Sequence, residues 1–172
     1  MRKLRRFAAC IFLGTVICMA QDVVSLVHGT VTKVDSATKT VVVKSADGTE
    51  HAVKVTGETT IKGTKDGFDG LKEGTEVVAR TTGKGVDETG LEIGKIGKDS
   101  LKVTDGTVTK IDEGTKTVTV KTADGTEKAF EYTDNAGKDV GKAVGKGTAK
   151  SARVTVYYTD DAGKKIAHFF RF

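Results

Sequence analysis

Once its first 20 residues are set aside, this chain has no cysteine and no methionine, and it has no proline or tryptophan anywhere. Without cysteine, that remainder can form no disulfide and offers no thiolate ligand or thiol nucleophile. Small exported domains often lean on disulfides, so here the hydrophobic core must suffice. Few of its side chains are readily attacked by oxidants. An excess of one charge is missing too. The chain has 28 Lys and Arg against 23 Asp and Glu, a net +5, but Arg2, Lys3, Arg5 and Arg6 supply four of the basic residues. That leaves 24 against 23 in the remainder, with 11 basic and 12 acidic in residues 21–98 and 13 and 11 in residues 99–172. A basic protein ordinarily raises nucleic acid or anionic membrane as a partner; the near-neutral remainder withdraws that inference.

Long apolar runs are absent as well. The longest, Phe7 to Ile17, is interrupted by Gly14 and Thr15 and falls short of the roughly 18 residues a membrane-spanning helix needs. Behind four basic residues and ahead of Cys18-Met19-Ala20, it has the layout of a signal peptide, with cleavage expected after Ala20. The expected destination is the periplasm or the exterior of a bacterial cell. A lipoprotein acceptor at Cys18 would want a small residue before it, where Ile17 stands, and Cys10 comes too early.

What is present is a repeat. Gly29 to Thr56 aligns without a gap on Gly106 to Thr133 at an offset of 77, with 19 of 28 positions identical. The match continues more weakly from Glu76-Val77-Val78-Ala79 to Arg153-Val154-Thr155-Val156. Self-similarity on this scale is the mark of a duplicated unit. Each copy alternates apolar and polar residues over short runs rich in Val and Thr, the pattern of strands with one buried face. Val41 and Val43 share one face, as do Val118 and Val120. Asp47-Gly48 and Asp124-Gly125 punctuate the runs where a tight hairpin fits the strand twist.

Five strands per copy are predicted: 24–34, 40–45, 50–56, 76–82 and 91–97, then 101–111, 117–122, 127–133, 152–159 and 165–172. Five short strands left flat would expose unpaired edges and much apolar surface, whereas curling into a barrel removes both. The expectation is therefore an all-β chain of two tandem five-stranded small barrels, OB-like or alternatively SH3-like. The first would occupy residues 21–98 and the second 99–172, after the signal peptide at 1–20. Longer connections follow the third strand of each copy, at 57–75 and 134–151, where OB folds carry a helix or a loop.

The order G-x-V-x-x-V-D, T-V-x-V-K, an Asp-Gly turn and then Gly70-Leu71-Lys72-Glu73-Gly74-Thr75 before a Val-rich strand resembles small exported bacterial domains of unknown function with OB-like barrels. The resemblance covers nearly all of the chain after residue 20. It implies the fold and transfers no catalytic residue, because its motifs are structural glycines and apolar positions. The second copy departs from it between Gly137 and Lys150, which puts the register of its fourth strand in question.

Candidate chemistry is sparse. His28 and His51 align with Asp105 and Lys128, and His168 lies in the last strand, so no histidine is shared by the copies. Neither copy places a His with two further ligands at metal-site spacing, and nothing marks a Ser or Thr with a base and an orienting third group. The segment Gly141 to Thr148 superficially resembles a phosphate-binding loop, but three residues instead of four separate its glycines and Gly147 intervenes before Thr148. Lys138, Lys142, Lys146 and Lys150 are spaced by four. On a helix they would form one cationic stripe, repelling by about 0.2–0.5 kcal/mol per pair. Gly137, Gly141, Gly145 and Gly147 would each cost roughly 1 kcal/mol against Ala. A lysine-bearing loop is the expectation, and these four lysines are the candidate contact for an acidic surface.

Two further readings are set aside. The outward positions expected on the second and third strands are Thr, Val, Lys, Ala and Glu, whereas an OB face that binds single-stranded nucleic acid stacks bases on aromatic rings. The terminal Ile166 to Phe172 resembles the closing strand of an outer-membrane barrel, but the strands are shorter than the roughly 9–11 residues such barrels need and are dotted with lysine. The sequence therefore points to a non-enzymatic exported module with no cofactor, no metal and no catalytic residue. Its partner is expected to be cell-envelope polysaccharide or an envelope protein. A metal-dependent or enzymatic site formed between the two barrels is the alternative.

Overall fold

The computed structural model describes residues 24–83, 88–147 and 149–172; the expected signal peptide lies outside these. The chain is mostly β. The first half contributes β1 (Val24–Asp35), β2 (Thr40–Ser45), β3 (Glu50–Lys54), β4 (Thr60–Lys62), β5 (Glu76–Thr82) and β6 (Glu88–Lys95), with a short 3-10 turn at Gly67–Gly70. The second contributes β7 (Lys102–Asp112), β8 (Thr117–Lys121), β9 (Glu127–Tyr132), helix α1 (Asp134–Gly145), β10 (Arg153–Asp161) and β11 (Lys164–Arg171).

The second half is a closed barrel of order β10-β11-β9-β8-β7, with β7 returning to β10. Its pairs are antiparallel except β9 with β11, which run parallel. The first half is a six-stranded sheet of order β3-β2-β1-β5-β6-β4, in which β3 also pairs in parallel with β6. Alternation dictates both. Val31, Val41, Val43 and Val53 point into one core, and Val108, Val118, Val120 and Phe130 into the other, all at most 1% exposed.

The offset of 77 holds in three dimensions. Both first strands carry a bulge, at Thr32 and Thr109, whose hydroxyls donate to the equivalent carbonyls of Val42 and Thr119, each at 3.4 Å. Gly29 and Gly106 sit where a Cβ would lie 2.1 and 2.5 Å from the carbonyl oxygens of Lys44 and Lys121. The register of the fourth strand, questioned above, is the same in both halves: Thr30 faces Glu76 and Thr107 faces Arg153.

The lysine-rich connection corrects the loop expectation, because residues 134–145 form a helix. Thr133 caps it, its hydroxyl accepting from the Ala136 amide, and Asp134 in the first turn suits the positive end of the helix dipole. Ala136, Val140 and Ala143 recur at helical spacing and are buried in the second half. Burial of that face offsets the glycine cost, and the like charges are relieved locally. Lys138 donates to Asn135 at 3.3 Å, while the Lys142 charge acts on nearby Asp139. Gly147, at φ 68°, follows the helix end, so Lys150 lies beyond it and the four-lysine stripe does not exist.

Candidate functional site

A third apolar cluster joins the halves. Val78 from β5, Leu101, Tyr157 from β10 and Phe169 from β11 are fully buried together, with Leu26 and Ile96 against them. These side chains lie on the faces of β5, β10 and β11 that point away from the cores of their own halves, and each half covers the other's. Arg80 is buried beside them. It donates to Glu92 at 2.9 Å, pairs with Asp139 of α1 and lies 5.0 Å above the Phe169 ring. Asn135 donates to the same Glu92 oxygen at 3.4 Å, and the Phe170 amide donates to Asp139 at 3.3 Å. Burial raises the pKa of both carboxyls, and the Arg80 charge opposes that rise. Two carboxylates converge on one guanidinium with supporting donors, an arrangement that fixes the position of α1 against the first half.

This fixing creates a groove of about 530 Å³ between the start of β1 and the α1, β10 and β11 side of the second half. Lys142 of α1 and Lys146, its C-cap, line it together with Arg153 and Arg171. Val24, Leu26, Phe170 and Phe172 give the lining its apolar part. The helix turns Lys142 and Lys146 into the groove because they lie one turn apart beside the buried Ala143. Of the four lysines singled out by spacing, the structure brings these two together. Lys138 and Lys150 are exposed and do not line the groove. Among the described residues, Asp139 is the one acidic side chain on its lining, and Arg80 already engages it.

The histidines do not join this site or each other. His28 bonds Glu76 at 2.9 Å and packs edge-on against Tyr157; His51 bonds Glu88 at 2.8 Å. His168 is buried with its Nε2 3.1 Å from the Thr159 hydroxyl, and burial, aided by the Lys62 charge, pulls its pKa down to about 4. Among the described residues, no group of three or more His, Cys, Asp or Glu is placed to hold a metal ion. On β8 and β9, Thr117, Thr119, Ala129 and Glu131 alternate with the buried Val118, Val120 and Phe130, so those strands present no aromatic ring outward.

Arg153 and Arg171 were not singled out from the sequence. The signal that could have found them is the repeat itself: they replace Glu76 and Gly94, so the same two strand positions change from acidic and neutral to doubly basic beside the divergent connection. No family model and no curated protein matches the chain. Among the described residues, no helix is long and apolar enough to cross a membrane.

Proposed function

We propose that this chain is an exported, non-enzymatic binding module built of two OB-like barrels, residues 21–98 and 99–172, and that it holds an acidic polysaccharide of the cell envelope in the groove beside α1. The parallel pairing of the third and last strands in each half supports the OB-like reading over the SH3-like one, as does a connection with a helix between the third and fourth strands of the second half. It also favours kinship with the small exported barrel domains that the sequence resembles.

The observation that carries the function is the convergence of Lys142, Lys146, Arg153 and Arg171 on one groove in a chain whose remainder is otherwise near neutral. Cations so placed raise the local concentration of an anionic chain and bind it with a strong dependence on salt. Polygalacturonate is a suitable probe. At low salt, K142Q/K146Q is expected to weaken its binding about tenfold, whereas K138Q/K150Q, which removes the same charge outside the groove, changes it less than about twofold. Absence of saturable binding, or equal effects of the two double variants, would overturn the reading.

A further inference from the structure

We infer that the groove beside α1 is one end of a longer track that takes a linear acidic polysaccharide several sugar residues long, an inference that rests on the binding reading above. A second groove of about 750 Å³ lies on the barrel of the second half, bounded by β7, β10, the end of β8 and the end of β11. Arg153, Arg171 and Phe172 line both grooves, so the two cavities adjoin across these three side chains.

Cations continue along the second groove to Lys121. Lys146, Lys142, Arg153, Arg171 and Lys121 form no ion pair among the described residues, unlike Lys102, Lys116, Lys164 and Lys165. The acid on this stretch, Asp105, accepts the Thr155 hydroxyl at 2.6 Å. Five cations outside any such pair, strung over two adjoining cavities, fit charges repeated along a chain. They do not converge on one point as the donors of a small-anion site would.

The junction also selects the kind of chain. Phe172 is 39% exposed and lies 6.1 Å from Phe170, the rings tilted by 30°, so the stretch lined by Arg153 and Arg171 also carries an exposed apolar ring. A sugar ring offers an apolar face and, as a uronate, a carboxylate at its edge, and an Arg fork pairs with a carboxylate through two hydrogen bonds. A nucleic-acid strand would need a stacking ring for each of several bases, and this track exposes one.

The test is calorimetric titration of the full chain lacking residues 1–20 with oligogalacturonates of increasing length. Affinity is expected to climb with length until the track is filled. R153Q/R171Q at the junction weakens every length about tenfold, and K121Q at the far end weakens long oligomers severalfold more than short ones. Unchanged melting temperatures of these surface variants separate lost binding from lost folding. If K142Q/K146Q weakens binding but K121Q acts equally at all lengths, the grooves are separate sites and only the continuous track falls. If the unaltered protein binds no oligomer, the binding reading falls with it. Tighter binding of single-stranded DNA than of an oligogalacturonate of equal charge would overturn the polysaccharide class.

Discussion

The two halves share a strand register to the residue yet put the same positions to opposite uses. Arg80 and Glu92 face each other across β5 and β6; their counterparts at the offset of 77, Tyr157 and Phe169, face each other across β10 and β11. In the first half the pair is ionic, in the second aromatic, and the two pairs meet at the junction, where Arg80 lies over Phe169. A duplicated surface that stayed identical would have set like charges against each other. Divergence at these positions instead made the two outer faces complementary, and the helix that replaces β4 and its 3-10 turn supplies the second carboxylate, Asp139.

Removing the ionic side of this comparison has the largest expected effect. Arg80→Met leaves Glu92 and Asp139 buried without their shared cation, which costs about 3–5 kcal/mol where such a group is stripped of its partner. Denaturant unfolding measures it. Replacing all three together, Arg80→Met with Glu92→Met and Asp139→Leu, is expected to recover most of that loss, because no buried charge then remains. A triple variant as unstable as the single one would show that the cluster contributes by its own attraction and not by mutual compensation.

A smaller effect tests the packing side. Gly94 lies on β6 where an added Cβ would come within 2.2 Å of Leu101 Cδ1 and 3.1 Å of the Phe169 ring. Its counterpart in the second half is the exposed Arg171. Gly94→Val is expected to cost up to about 3 kcal/mol by overpacking the shared cluster. Arg171→Val changes stability by less than about 0.5 kcal/mol, as surface substitutions usually do. Equal losses at the two positions would mean that the cluster does not join the halves as described.

Much of this architecture is legible in the residues. The strands β2 and β5 fall on the bounds predicted from alternation and the other predicted strands within a few residues, because a half-buried strand has to alternate and both copies do so at the same places; β4, a sixth strand of the first half where five were expected, lies inside the predicted connection 57–75 and is too short to show such alternation. The Gly29 and Gly106 positions, shared in the repeat, mark close approaches of backbone to backbone. The helix was less accessible, since propensity counts the cost of Gly137, Gly141 and Gly145 and cannot count the burial of Ala136, Val140 and Ala143 against β11. The junction was hidden for a related reason. Val77, Val78 and Ala79 are consecutive and all buried, a run that breaks alternation and points to a strand covered on both faces, but no single sequence says what covers the second face. Arg80, in the same run, reads as a solvent-facing residue until the other half is in place. The groove depends on both of these, so the spacing of the lysines alone could not show that only Lys142 and Lys146 of the four line it.

The mildest break in the comparison concerns the bulge of the last strands. Leu91 and His168 occupy the same bulged position, but Leu91 is 40% exposed and His168 only 7%. In the folded chain His168 is held neutral down to about pH 4, below the ordinary 6.5, by burial and then by the Lys62 charge. The unfolded chain takes up this proton first, so between about pH 6.5 and about pH 4 it binds more protons than the folded one and stability falls as the solution is acidified. The loss is about 2 kcal/mol once solvent screening is allowed for. His168→Leu, which imports the residue of the first half, removes this component, although the carboxyls of Glu92 and Asp139 continue to titrate in both proteins. The difference between the two stability curves, measured by denaturant unfolding across that range, isolates the histidine: it grows as pH falls and levels off near pH 4. Leu91→His places the same ring at the exposed copy of the position, where water solvates both of its protonation states, and its difference curve is expected to stay flat. A slope at residue 91 matching that at residue 168 would show that burial is not what sets the histidine apart.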